Sequence, residues 1–475
     1  MYLAAMSTTP LVMPTNSSNS RQQFIAKVLR PEDAVPSVDG QPLQSTLYRH
    51  DTLMVFSRDW SGDFDTFVEI TLKEIGLDVR VESPQDIPPT EQRPKELRLS
   101  LQASEGLGVP LVLRLLPSTD VPLVGPVDAW RALQYVRFKA VRSRHEFQKP
   151  AERMSLEHIL RAATAPVQYW GLPGWEGHGD DGEDGPGRIP VKVVATSPPH
   201  RTLNANFTGV RPVVAIFDTP VANHDWLPTS ADTPEWVVQQ LPPQPLPEFD
   251  LLNPLVGRVD SHFGHGTFIA GIIHQIAPEA QVLSLPVMHS DGCVLEADLV
   301  SALSKLLDAV TNGFQVDVIL LALGYYPETP GQPVNSPLLP VLQDLAAWNV
   351  KIVAAVGNDA TTRECYPAAY SKALPNIVHA VGAENPNESK AIFSNDNPST
   401  GQQWVTEWKP GVAIVSTYPA QVDGSRSAAL SKESLERESF DADAFDSGFA
   451  LWQGTSFAAA VYAAELAAQA TPPQP

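Results

Sequence analysis

Cysteine is nearly missing from this chain of 475 residues: there are two, Cys293 and Cys365. Two thiols cannot build a disulfide framework, and no Cys/His spacing matches a zinc site. Basic residues are also scarce, 33 Lys and Arg against 54 Asp and Glu, for a formal charge of -21. That balance argues against a nucleic-acid partner, which needs a basic face, and leaves an acidic, solvated surface as the plain reading. No apolar run is long enough to span a bilayer, so no membrane association is expected. The opening MYLAAMSTTPLVMPTNSSNS lacks the basic start and long apolar core of a secretory leader, which makes the cytoplasm the expected compartment.

What is present is globular. Apolar residues make up 43% of the chain and charged residues 18%, and 45 prolines cluster in connecting stretches, as rigid loops require. The length suits two domains. Residues 1–40, rich in Ser, Thr, Asn and Pro, are expected to be a flexible N-terminal arm. Residues 41–173 read as a smaller α+β domain, in which DTLMVF (51–56), LDVRVE (77–82), LRLSLQA (97–103) and VPLVLRLLP (109–117) have the patterning of strands. GDFDTFVEITLKEIG (62–76) sets Phe64, Phe67, Val68, Leu72 and Ile75 on one helical face with Asp63 as the cap. DAWRALQYVRF (128–138) is a second helix. No cluster in this domain carries recognisable chemistry, so packing, regulation or docking of a regulatory protein partner is the role expected of it. Residues 174–205 read as an acidic Gly/Pro-rich linker. Its stretch GWEGHGDDGEDGPGR could hold a structural calcium ion through oxygen ligands, yet it lacks a fixed ligand spacing, and nothing else in the sequence requires a cofactor or metal.

From about residue 206 the rhythm changes. Apolar, β-branched runs at 212–217, 281–287, 316–323, 350–356 and 376–381 alternate with helical stretches at 265–277, 296–312 and 338–349. Fully apolar strands between amphipathic helices predict an α/β domain with a mostly parallel sheet covered on both faces. Ligands bind such sheets beyond the carboxyl ends of the strands. Four polar residues fall at that edge. Asp218 follows VVAIF, and His265 opens an apolar helix between two glycines. Asn358 ends KIVAAVGND, and Ser456 opens the helix in WQGTSFAAAVYAAELAAQ. Each has an ordinary reading as a cap, turn or core residue. Together they fit one reaction: a carboxylate orients an imidazole, the imidazole deprotonates a serine, and amide donors stabilise the oxyanion.

The motifs VVAIFDTPV, GHGTFIAGII, AAVGND and GTSFAAAV, in that order, resemble those of the subtilisin-like serine proteases, the subtilases. The resemblance covers residues 206–475 and implies a three-layer α/β catalytic domain. It implies Asp218, His265 and Ser456 as the catalytic triad, Asn358 as oxyanion donor, and a peptide or protein as substrate. An extended substrate strand would lie along Ala322, Leu323 and Gly324 on one side and Ala355 and Gly357 on the other, with Cys365 near the floor of the pocket beside the scissile bond. Many subtilases carry an inhibitory pro-segment, a role open to the N-terminal domain beside partner docking. Stretches 228–250 and 421–448 read as surface insertions.

Departures from the family pattern stand out. Asp218 is followed by Thr219-Pro220, Phe457 replaces a Met, Ala460 replaces a Pro, and Ala322 replaces a Ser; few residues follow Ser456. None removes a catalytic group. They leave room for a second reading, a catalytically inactive module that binds extended peptides. An α/β hydrolase is set aside, because it expects Ser before Asp and His and a Gly-x-Ser-x-Gly elbow. His262 lacks the glycine-flanked setting of His265, and Asp225 beside His224 reads as a loop residue.

Overall fold

Strand, helix and turn assignments come from a computed structural model. It describes residues 11–12, 25–60, 62–82, 110–123, 125–143, 145–163, 188–191, 209–227, 237–239, 260–331, 336–420, 422–423, 430–432, 435–437 and 444–471. The expected strand at 97–103, the calcium-binding stretch apart from Arg188, and most of the insertion at 228–250 lie outside these residues. The chain divides into two compact units: Met1–Leu160 with Leu295–Asp308 and Tyr325–Asp344, and Arg161–Val294 with Ala309–Gly324 and Leu345–Pro475.

The first unit begins in the segment expected to be an arm, which contributes β1 (Leu11–Val12) and β2 (Ile25–Leu29). There follow β3 (Thr46–Phe56), α1 (Asp63–Lys73), β4 (Leu77–Glu82), β5 (Pro110–Pro117), α2 (Ala129–Ser143), the short α3 (Gln148–Arg153) and β6 (Ser155–Ala162). The order β-α-β-β-α-β, with antiparallel neighbours β6-β3-β5-β4, is the ferredoxin-like arrangement. One face of α1 and α2 supplies Phe64, Val68, Leu72, Trp130 and Leu133 to the core, as the apolar spacing requires. The cap differs from expectation: Gly62 holds the N-cap with a left-handed φ of 47°, and Asp63 is the first helical residue, where its charge suits the helix dipole. On β6, His158 is buried between two carboxylates, Nδ1 2.7 Å from Glu296 and Nε2 3.0 Å from Glu328. Ser336 Oγ donates to the other Glu296 oxygen, and Tyr325 stacks on the imidazole.

The second unit holds a seven-stranded parallel sheet. In chain order its strands are β8 (Val213–Asp218), β9 (Val237–Gln239), β10 (Gln281–Pro286), β12 (Val318–Leu321), β14 (Lys351–Ala355), β15 (Val378–Glu384) and β16 (Glu407–Pro410). In space they run β16-β15-β14-β12-β8-β10-β9. The order reverses at β8, and the carboxyl end of such a switch-point strand is where α/β sheets place their ligands. β7 (Arg188–Pro190), inside the stretch read as a linker, pairs with β22 (Phe449–Trp452), which also pairs with β17 (Ile414–Thr417). Between them lie β11 (Cys293–Leu295), the two-residue β13 (Leu323–Gly324), and two short hairpins in the expected insertion at 421–448. The hairpin strands are β18 (Val422–Asp423) with β21 (Ala444–Phe445) and β19 (Leu430–Lys432) with β20 (Leu435–Arg437).

Four further helices are α4 (His265–Ile276), α5 (Glu296–Thr311), α6 (Leu338–Ala347) and α7 (Thr455–Ala470). α4 and α7 are apolar nearly all round, and both are buried in the core of the second unit. The alanines of α7 let it lie close on β12, β14 and β15. Among the described residues no helix is long and apolar enough to cross a membrane.

Candidate active site

Asp218 is the last residue of β8 and is buried. Its two carboxylate oxygens each lie 2.8 Å from His265 Nδ1. His265 is the first residue of α4, behind Gly264, whose φ of 80° takes the left-handed turn that starts the helix. The close approach of α4 to β8 depends on Gly266. Its N–H donates to Thr219 Oγ1 at 2.8 Å, and a Cβ there would sit 2.1 Å from the Thr219 carbonyl oxygen. Thr219 N–H also donates to Asp218 Oδ1 at 2.7 Å. The departure after Asp218 thus has a local use: the threonine ties strand, carboxylate and helix together.

The imidazole is walled by rings. Trp452 meets it edge-on with centroids 5.5 Å apart, Phe457 lies at 5.4 Å and His262 at 5.9 Å. Among the described residues His265 Nε2 is buried without a hydrogen-bond partner. Ser456 is the second residue of α7, so Phe457, next in sequence, touches the ring. The hydroxyl of Ser456 donates to the Ala322 carbonyl at 3.1 Å; no hydrogen bond joins it to His265 Nε2. Its backbone N–H, at the helix N-terminus, donates to the Ala163 carbonyl at 3.1 Å. Asn358 Oδ1 accepts from Thr455 N–H at 3.0 Å, which commits the amide oxygen and leaves a buried Nδ2 without a partner among the described residues.

The residues expected to hold a substrate strand divide. Leu323 and Gly324 form β13, which pairs antiparallel with Ala162 and Arg161. The Ala322 carbonyl accepts from Ala163 N–H at 3.1 Å. Ala355 pairs with Val381 inside the sheet, and Gly357 N–H donates to Thr455 Oγ1 at 3.2 Å, so these two brace the framework behind Ser456. Cys365 is buried directly behind Gly324: a Cβ on that glycine would lie 2.5 Å from its sulfur. Burial, then the charge of Asp359, pushes its thiol far up, so the thiolate needed for nucleophilic chemistry is suppressed.

Two more residues shape the site: His262, set aside in the sequence, and Arg188, which the sequence did not single out. His262 is buried against His265, and burial first, then the imidazole of His265, holds it well below the usual histidine range and therefore neutral. Arg188 is buried too. Its Nε donates to the Tyr418 hydroxyl at 2.7 Å, and its other nitrogens donate to the carbonyls of Ser261 and Asp260. The guanidinium also lies over the Trp452 ring, 5.4 Å from the centroid, so it fixes one wall of the imidazole's pocket. A lone arginine in a Gly-rich acidic stretch gave no signal of this. Among the described residues no group of three or more His, Cys, Asp or Glu side chains could hold a metal.

The family described as "Peptidase_S8: Subtilase family" matches residues 209–472. The chain belongs to the subtilase family. It is similar to Subtilisin BL of Lederbergia lenta, 32% identical over 182 residues, which are 36% of this chain and 58% of that protein. It is likewise similar to Thermitase of Thermoactinomyces vulgaris, 32% identical over 182 residues, 34% of this chain and 55% of that protein. The chain thus spans less than two thirds of the length of each. Among solved structures, the Prenylagaramide maturation protease PagA is 23% identical, with 53% of this chain and 72% of that chain covered and a TM-score of 0.36. A cold adapted subtilisin-like serine proteinase is 21% identical, with 59% and 82% covered and a TM-score of 0.36.

Proposed function

We propose that the chain is a serine endopeptidase that hydrolyses peptide bonds through an acyl-enzyme. The observation that carries this reading is the buried Asp218–His265 pair: Nδ1 is held at 2.8 Å, and Nε2, beside the helix that presents Ser456, is left without a partner among the described residues. Ser456 Oγ attacks the substrate carbonyl as His265 takes its proton, and the imidazolium then protonates the leaving amine. Asp218 selects the tautomer with hydrogen on Nδ1 and stabilises the cation. The Ser456 N–H and Asn358 Nδ2 are the donors for the oxyanion, in a site dry enough to make them strong. To begin, the serine hydroxyl turns from the Ala322 carbonyl toward His265 Nε2. The substrate enters as an extended strand on β13, read through main-chain hydrogen bonds. Residues 41–173 we read as a regulatory or recruiting domain.

A fluorophosphonate probe is expected to label Ser456, and Ser456→Ala to abolish both labelling and peptide hydrolysis. If the probe labels nothing under any activating condition, the hydrolytic reading fails and an inactive peptide-binding module takes its place. Asn358→Ala is expected to lower kcat by roughly 100- to 1,000-fold with KM little changed, measured on a fluorogenic peptide.

A further inference from the structure

Asn358 sits in a turn whose backbone needs support from outside. Gly357 and Ala360 flank it with φ of 100° and 50°, both in the left-handed region, and for the alanine that conformation is costly unless its surroundings impose it. The support comes from the loop after β15, where Asn395 has no exposed surface. Asn395 Oδ1 accepts from Asp359 N–H at 3.0 Å and from Thr361 N–H at 3.2 Å. Its Nδ2 donates to the Val356 carbonyl at 2.7 Å, and its backbone N–H to the Gly357 carbonyl at 3.0 Å. These four bonds fall on both sides of Asn358 and leave Asn358 itself untouched. The loop is anchored in turn. Ala360 N–H donates to the Phe393 carbonyl at 2.8 Å, and Ser394 Oγ accepts from Ala383 N–H of β15 at 3.1 Å. From the opposite side, Thr455 N–H holds the amide oxygen of Asn358. All of these residues belong to the second unit. Asn358 is thus gripped at its oxygen and at both flanks of its backbone, and Nδ2, without a partner among the described residues, is the atom left to meet an incoming oxygen.

We propose that Asn395 is the positioning residue of the oxyanion donor, which rests on the serine-protease reading. It touches no reacting atom; through the turn at 356–361 it sets where Asn358 Nδ2 stands. The chemistry explains the residue type. One side-chain amide offers an oxygen with two lone pairs for two N–H groups and a nitrogen for a carbonyl. An ionised aspartate has no hydrogen to give Val356, and the shorter hydroxyl of serine or threonine cannot serve all three partners. An oxyanion donor works only within about 2.7–3.1 Å of the developing charge. Removing the Asn395 side chain strips the partner from two N–H groups and one carbonyl around the turn. The turn relaxes, and the Asn358 amide swings off its aim.

A double-mutant cycle on the full chain tests this, with kcat and KM measured on a fluorogenic peptide. Rates are taken per site titrated by the fluorophosphonate, so that unfolded protein is not counted. Asn395→Ala is expected to lower kcat by roughly 100-fold, the cost of a displacement of about 1 Å, and to change KM by less than about twofold. The pH at which kcat/KM is half-maximal should not move, because the Asp218–His265 pair is untouched. Added to Asn358→Ala, Asn395→Ala should cost little more, since the contribution it supports is already gone. Asn395→Thr, which keeps the volume and a hydroxyl, is expected to recover part of kcat, and it carries the same cycle if the alanine variant does not fold. Three results in an active, labelled wild type overturn the proposal while the protease reading stands: losses that multiply in the double variant, a kcat within about threefold of wild type, or a rise in KM alone. A wild type that neither takes the label nor hydrolyses peptide under any activating condition overturns both.

Discussion

At Gly266 a side chain of any size collides with the Thr219 carbonyl, and that contact sets how near His265 comes to Asp218. Backbone atoms cannot step aside as a flexible side chain can. Gly266→Ala should therefore push α4 outward, at a cost of about 1–3 kcal/mol for overpacking. Displacing the imidazole by about 1 Å should lower kcat/KM by roughly 100-fold. Thermal unfolding and peptide hydrolysis check the two parts separately. A variant with wild-type values in both would show that the helix does not depend on this approach. Residues that read clearly in the sequence are those whose type is set by chemistry: Asp218 and His265 meet as expected. The bond Ser456 makes with Ala322 was not legible, because which acceptor a hydroxyl chooses depends on neighbours brought from elsewhere in the chain.

Among the elements, β7 has three residues, carries a proline and lies in a stretch that reads as a linker, yet it supplies Arg188. Short strands of this kind carry no periodicity, and only their partner, here β22, makes them strands. β6 escaped notice for another reason: SLEHILRA places Glu157 and His158 where an apolar residue is expected, and their burial depends on partners from elsewhere, Arg49 of β3 for Glu157, and Glu296 of α5 and Glu328 after β13 for His158. By contrast, LDVRVE alternates cleanly and became β4 with the boundaries expected, and the continuous apolar runs became the parallel strands. Arg188→Met should strip hydrogen bonds from the buried Tyr418 hydroxyl and two carbonyls and cost on the order of 3 kcal/mol. Arg188→Lys should recover only part of this, since a point charge cannot serve three acceptors set around a planar fork. Urea midpoints for the three proteins decide it, and equal midpoints would show that the guanidinium contributes nothing to stability.

At the scale of the whole molecule, the first unit draws on three separate stretches of chain, and His158 is where they are joined. Burial alone would lower the pKa of His158, but Glu296 and Glu328 outweigh it and raise the imidazole to about 10. Glu328 is in turn held down to about 2: burial opposes the shift, and the hydrogen bond and charge of His158 overcome it. A histidine raised in the folded state contributes stability that is complete below its unfolded value of about 6.5 and lost as pH rises toward 10. The depressed carboxyl contributes stability above its unfolded value of about 4.3 that is lost as pH falls toward 2. Denaturation midpoints of wild type should fall between pH 6 and pH 9, and His158→Gln should flatten that slope while lowering the midpoint at pH 6. An unchanged slope in the variant would assign the pH dependence elsewhere. The same clasp has a consequence for a chain cut once by limited proteolysis between His158 and Glu296. His158 lies before such a cut in sequence, and both of its carboxylate partners lie after. The two pieces would stay together without a covalent link, co-eluting at neutral pH and coming apart in alkali, where the imidazolium that rivets them gives up its proton.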